Sequence, residues 1–345
     1  MLAARLTAQL LAGEPAPNPV TATGRLLAVQ AQDPRGMRLA IRARMPLGRA
    51  TAADVERALT EERTLVVSWL NRGTLHLVRR EDWPWLHALT TPPLQTASAR
   101  RLAQEGVPAA DADRAVAAIE RALADEGPLT REALRERIAA VGVRTEGQAL
   151  VHVLLAATLA LGLVRGPLHD GARHAFALAR EWLGEEAIAP VDRGAALAEL
   201  ARRYLAGHGP ADARDLARWA GLPLRDARAG LAAIASELSE RPDGLVELAA
   251  GAAAAPLPPP RLLGAFDPLL LGWVSRRAVL GDHAETNVVT ANGIFRPIAL
   301  VRGTAAATWR LERGRVALAP LRPLSSAVAN ALARDGADVR RFLGT

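Results

Sequence analysis

Gly127-Pro-Leu-Thr-Arg-Glu-Ala-Leu134 occurs in this chain in three versions. The others are Gly48-Arg-Ala-Thr-Ala-Ala-Asp-Val55 and Gly209-Pro-Ala-Asp-Ala-Arg-Asp-Leu216, about eighty residues to either side. In each, a glycine and a short extended stub lead to Thr51, Thr130 or Asp212, whose side-chain oxygen can cap a new helix. An apolar residue follows four positions later, on that helix's inner face. A period of this length is too long for a solenoid unit and suits a small domain.

The stretches after the three versions are also alike. Ala52–Thr60 reads as a helix leading into Leu65–Leu70; Arg72-Gly73 then makes a turn and Thr74–Val78 alternates as a strand. After Thr130 a helix runs to Ala140, and Gly147–Leu161 continues the helical pattern. A strand at Leu163–Arg165, a polar loop at Gly166–Arg173 and a strand at His174–Ala177 come next. After Asp212 come a helix to Ala220, the stretch Pro223–Ser236, and a hairpin of Leu238–Arg241 and Leu245–Leu248 around Pro242-Asp243-Gly244. Helix, stub, helix, helix and hairpin together make a winged helix, in which one helix can enter the major groove while the wing meets the backbone. The alternative is three helical domains with a scaffolding role.

Ala249–Pro260, AAGAAAAPLPPP, cannot build a core and marks the clearest boundary. Beyond it lie short strand candidates at Leu269–Val274, Asn287–Thr290, Ile294–Val301, Ala307–Leu311 and Arg315–Ala319. Turn signals stand at Asn292-Gly293, Arg302-Gly303 and Arg313-Gly314, and a closing helix at Ser325–Ala333. The expected fold is mainly α with β: three tandem winged-helix domains (1–95, 96–190, 191–250), a linker (251–260) and a small C-terminal β-barrel with a terminal helix (261–345).

Half of the 345 residues are hydrophobic and 23% are charged, a soluble globular composition. The Ala3–Leu11 stretch reads as an opening amphipathic helix rather than a secretion signal, and no apolar run is long enough to span a bilayer. With no cysteine, disulfides and thiolate metal sites are excluded, and a cytoplasmic location is expected. All 43 basic residues are arginine, so no side-chain amine is available for a Schiff base; the net charge of +7 suits a polyanionic partner. The histidines (His76, His87, His152, His169, His174, His208 and His283) show no metal-binding spacing, and there is no Gly-rich phosphate loop.

Three clusters carry chemistry. In Gln30-Ala31-Gln32-Asp33-Pro34, Pro34 is expected to end a helix that starts near Ala22. Near an unwinding end, or in extended chain, the two glutamines can converge on one water or polar substrate; otherwise they decorate a solvated terminus. Arg72, Thr74 and His76 would decorate the first wing, as a DNA contact or incidentally. Phe266-Asp267-Pro268 reads as the start of a turn, with Arg276 and Arg277 downstream as phosphate contacts or solvated charges.

LLAVQAQDP (26–34), SWLNRGTLHLVRREDW (68–83), HGPADARDLARWAGL (208–222) and LLGAFDPLLLGW (262–273), in that order, resemble the AlkZ-like DNA glycosylases over nearly the whole chain. The resemblance implies three winged helices and a C-terminal β-barrel forming a C-shaped cradle around DNA. It also implies a catalytic Gln-x-Gln signature matched here by Gln30 and Gln32, and excision of bulky N7-alkylguanines, including crosslinked ones. Some members protect producers of genotoxic antibiotics. By the same resemblance the partner is double-stranded DNA containing alkylated guanine, bound by a monomer without cofactor or membrane. Arg35, Arg38, Arg42, Arg72, Arg225 and Arg228 become candidate phosphate contacts, with surface ion pairing as the alternative for each. A non-catalytic regulator or lesion binder remains the competing function.

Overall fold

A computed structural model of the chain describes residues 1–169, 173–281 and 285–345. They form two compact units: Met1–Glu56 with Leu197–Thr345, and Arg57–Ala196. The architecture is mixed α and β, with several small sheets, none of them closed.

The Arg57–Ala196 unit contains two antiparallel hairpins and a group of helices between them. The first hairpin pairs Leu65–Leu70 with Thr74–Arg79, placing Val66 opposite Val78 and Ser68 opposite His76. The helix Ala109–Glu126 buries Ala115, Ala118, Ile119, Ala122 and Leu123, the three- and four-residue spacing of a single apolar face. Thr130 caps the next helix, Arg131–Ala140, by accepting from the Ala133 N–H at 3.1 Å. Leu134 and Ile138 of that helix join Ile119, Leu123, Val153, Leu154 and Phe176 in one apolar core. The helix Ala149–Leu161 ends at Gly162, whose φ of +68° favours glycine; a Cβ there would also lie 2.9 Å from the Trp83 ring. The second hairpin pairs Leu163–His169 with Arg173–Leu178. Its strands are longer than expected, so most of the anticipated Gly166–Arg173 loop is strand; the rest of that loop, 170–172, lies outside the described residues.

In the other unit the helix Ala213–Ala220 starts on a full capping box: Asp212 accepts from the Arg214 and Asp215 N–H groups, and Asp215 accepts in return from the Asp212 N–H. The helix Leu224–Ala233 and a hairpin of Leu238–Glu240 with Val246–Leu248 come after it. Beyond an irregular stretch, four strands make an antiparallel sheet in the order Arg315–Pro320, Thr304–Glu312, Ile298–Val301, Arg261–Leu263. Arg302-Gly303 and Arg313-Gly314 are its two-residue turns, with both residues of each at positive φ, which matches strand twist. The expected barrel is replaced by this open sheet. The terminal helix runs over Ser326–Leu343, further than expected, and its Gly336 sits against Val316 and Leu262 of the sheet.

Three local expectations are corrected. Leu269–Val274 is not a strand: Asp267 caps a helical turn, Pro268–Leu271, with Pro268 at its first position. Asn287–Thr290 likewise holds the end of the helical turn Glu285–Val288, with only Val289 bridged to Phe295. Pro34 does not end a helix. The preceding helix, Pro19–Leu26, stops at Leu27 (φ +64°), and Pro34 opens the next one, Pro34–Arg42.

Buried polar contacts tie residues 1–56 to the C-terminal part of the same unit. Arg44, wholly buried, forks onto Asp267 with two bonds of 2.9 Å and also donates to Gln9 Oε1 and the Ala40 carbonyl. Arg42 donates to both carboxylate oxygens of Asp335 (2.7 and 2.9 Å) and to Asp338 (2.9 Å). Around Trp273, Arg5 stacks 4.5 Å from the indole, the indole N–H donates to the His208 carbonyl, and the Tyr204 hydroxyl donates to the Gly272 carbonyl.

Candidate active site

Between Leu27 and Asp33 the chain has no helix. Val29–Gln30 is extended, Ala31 is buried, and Asp33 receives the first turn of the next helix. In extended chain, residues two apart share a face. Gln30 and Gln32 do so: the Gln30 amide Nε2 donates to Gln32 Oε1 at 2.6 Å. Gln30 is 7% exposed, while Gln32 is open to solvent. The pair is therefore an uncharged amide couple anchored at one end and accessible at the other.

The neighbouring carboxylate is otherwise engaged. Asp33 Oδ1 accepts from the Gly36 N–H at 2.8 Å, holding the helix start in place. Gly36 lies directly on the backbone of Ala265, where a Cβ would fall 2.4 Å from the carbonyl oxygen; a Cβ on Gly264 would in turn fall 2.7 Å from the Gly36 carbonyl oxygen. Two residues beyond Ala265, Asp267 holds Arg44, which comes just after the far end of the same helix. The Gly264–Asp267 segment thus fixes the helix behind the glutamines at both ends. This explains Phe266-Asp267-Pro268 better than a simple turn does, because Asp267 is a fully buried counter-ion as well as a cap.

The candidate arginines divide sharply. Arg35 is exposed at the start of the helix. Arg38 donates to Glu56 from Nε (2.7 Å) and Nη2, and to the Pro34 carbonyl. Arg42 is corrected outright: it is 2% exposed and its donors are saturated by Asp335 and Asp338, so it cannot meet a phosphate. Arg276 is also committed, to the Leu270 carbonyl, Glu285 and the face of Phe295, whereas Arg277 is exposed. Arg225 is exposed beside Asp226, and Arg228 is exposed.

On the first hairpin Arg72 adopts a left-handed conformation (φ +58°) and the Thr74 hydroxyl donates to the Asn71 carbonyl at 3.2 Å. His76 is buried, not displayed on the wing. Burial, helped by the Arg72 charge, lowers its pKa to about 3, so the ring is neutral and Nδ1–H donates to the Thr74 carbonyl at 2.9 Å. His208 is held neutral in the same way, at about 3; His283 lies outside the described residues. Asn71 is wholly buried, and among the described residues neither of its side-chain amide atoms has a hydrogen-bond partner. Its only sequence signal was its place in the turn before Arg72-Gly73.

Comparison with known proteins points the same way. The family model described as DNA glycosylase AlkZ-like matches residues 23–342. No curated protein matches. Among solved structures, the Streptomyces sahachiroi DNA glycosylase AlkZ aligns over 100% of this chain and 96% of its own, with a TM-score of 0.81 and 25% identity. A match spanning all but the ends of the sequence, and including both glutamines, settles the family: the chain belongs to the AlkZ-like DNA glycosylases.

Proposed function

We propose that this DNA glycosylase hydrolyses the N-glycosidic bond of N7-alkylguanine in duplex DNA, as bulky monoadducts or interstrand crosslinks, in repair or in self-resistance to a DNA-alkylating natural product. It acts in the cytoplasm as a monomer without a cofactor. The sequence modules 1–95, 96–190 and 191–250 serve as tandem winged helices, with the linker 251–260 and the β-rich segment 261–345 after them. Arg35, Arg72, Thr74, Arg225, Arg228 and Arg277 are its candidate DNA contacts.

The observation that carries this reading is the 2.6 Å bond between two uncharged amides, one buried and one open. Alkylation at N7 makes guanine cationic, so its bond to C1′ breaks with the electron pair leaving on the base, which becomes neutral. Water adds its oxygen to C1′ and sheds a proton to solvent. Gln30 and Gln32 have only to hold that water and steady the oxocarbenium-like sugar through their carbonyl dipoles. An amide cannot supply the proton that a departing neutral guanine would need, so the selectivity comes from the charge of the substrate. With no lysine side chain, the reaction stops at an abasic site.

The test is base release from a series of small and bulky N7-alkylguanine duplexes. Gln30→Ala and Gln32→Ala should each lower single-turnover rates by about two to four orders of magnitude. The reading fails if both variants turn over normally, or if the intact chain binds these duplexes and releases no base.

A further inference from the structure

In this arginine-rich chain the partly buried guanidiniums mostly face carboxylates. Arg165 is different. Its guanidinium carbon lies 3.9 Å from the centre of the Phe176 ring and 5.4 Å from that of Trp69, and these two rings stack on each other at 6.2 Å. Among the described residues no carboxylate pairs with it. The charge that acts on it is another cation, Arg131; burial first, and Arg131 second, lower its pKa to about 10, which leaves it charged at neutral pH.

The backbone explains why these two arginines come together. Arg165 is the cross-strand partner of Phe176, and on the other side of Phe176 lies Leu129, joined by reciprocal bonds of 3.0 and 2.8 Å. Two residues after Leu129, Arg131 opens the helix Arg131–Ala140 in an exposed position. The adjacent acid, Glu132, is occupied by Arg173 at 2.9 Å. The two arginines therefore lie on the two segments that pair with Phe176, and among the described residues no carboxylate pairs with Arg165.

A cation withdrawn from water is ordinarily paired with an acid. A guanidinium laid flat on an aromatic face keeps its edge donors for a second partner and has already lost the rotamer freedom that binding would cost. We propose that Arg165 and Arg131 form a two-arginine site for the phosphate backbone of duplex DNA, with Phe176 and Trp69 as its platform. This rests on the glycosylase reading only in taking duplex DNA as the polyanion.

The experiment is equilibrium binding of the full chain to an undamaged duplex over a range of salt concentrations. Each phosphate contact contributes about 0.9 to the slope of log affinity against log salt. Arg131→Gln and Arg165→Gln should each flatten the slope by about one, and the double variant by about two, with the loss of affinity greatest at low salt. Arg165→Lys should recover part of the slope, since the charge remains without the flat stack. Unchanged slopes in both single variants would overturn the site and leave Arg165 as a packing residue. If Arg165→Gln lowers the melting temperature too far to assay, the exposed Arg131→Gln decides alone. Base release by the intact chain together with unchanged slopes would refute this site and spare the glycosylase; absence of any duplex binding would sink the glycosylase reading itself.

Discussion

The two compact units differ in how deeply they bury arginine. In the unit made of Met1–Glu56 and Leu197–Thr345, arginines are sunk into the interior against acids: Arg44 on Asp267, Arg42 on Asp335 and Asp338. In the Arg57–Ala196 unit one core is a cluster of apolar side chains; Arg165 and Arg63 lie over the rings of Phe176 and Trp182, while Arg79 pairs with the buried Asp82. A buried ion pair is directional and fixes one geometry, whereas an apolar core tolerates repacking. The Gln30–Gln32 couple belongs to the first kind of unit, where the helix behind it is held by directional bonds. The difference teaches that the polar interior there fixes one geometry for the helix behind the glutamines, which an apolar core of equal volume need not do.

The largest effect expected from breaking this contrast is in the first unit. Asp267→Ala leaves the Arg44 guanidinium buried without its counter-ion and should cost about 3–5 kcal/mol in urea unfolding. Replacing both partners by apolar residues, Arg44→Met with Asp267→Leu, should recover most of that loss while still impairing base release, because packing returns and the directional anchor does not. Full recovery of activity in the double variant would show the pair to be a stability device only.

In the second unit, Ile138→Ala should cost about 2–5 kcal/mol and Ile138→Val about 0.5–1.5, with no dependence on salt. A loss in either that shrinks at high salt would mean the apolar description is incomplete.

The third effect is smaller and common to both units. His76 and His208 have folded pKa values near 3, below the unfolded value of about 6.5. An unfolded chain binds more protons in this window, so the stability from these rings is complete above pH 6.5 and is lost as pH falls toward 3. Unfolding free energy measured against pH should decline below about pH 6.5, and His76→Gln should flatten the decline in the second unit alone. An unchanged profile in that variant would assign the acid sensitivity elsewhere.

Much of this arrangement was legible from local chemistry. Thr130 and Asp212 announced their helices because a cap is decided within four residues, and Arg302-Gly303 and Arg313-Gly314 announced their hairpins because a two-residue turn is decided by its own φ values. The convergence of Gln30 and Gln32 was foreseeable once the segment was taken as extended. Asp33-Pro34 was misread because a capping aspartate followed by proline looks the same at the end of one helix as at the start of the next. Arg42 and Asp267 were opaque for another reason. What they do is set by partners 293 and 223 positions away, and nothing nearby distinguishes them from solvated charges.

The discontinuity of the first unit has a consequence in time. The ribosome makes the glutamine pair some three hundred residues before Asp335, one of the acids that hold the helix behind it. At about 5–20 residues per second, the wait for Asp335 is on the order of 15 to 60 seconds. Until then Arg42 has no counter-ion at Asp335, and a chain cut short before the helix Ser326–Leu343 would carry both glutamines without the acids that hold Arg42.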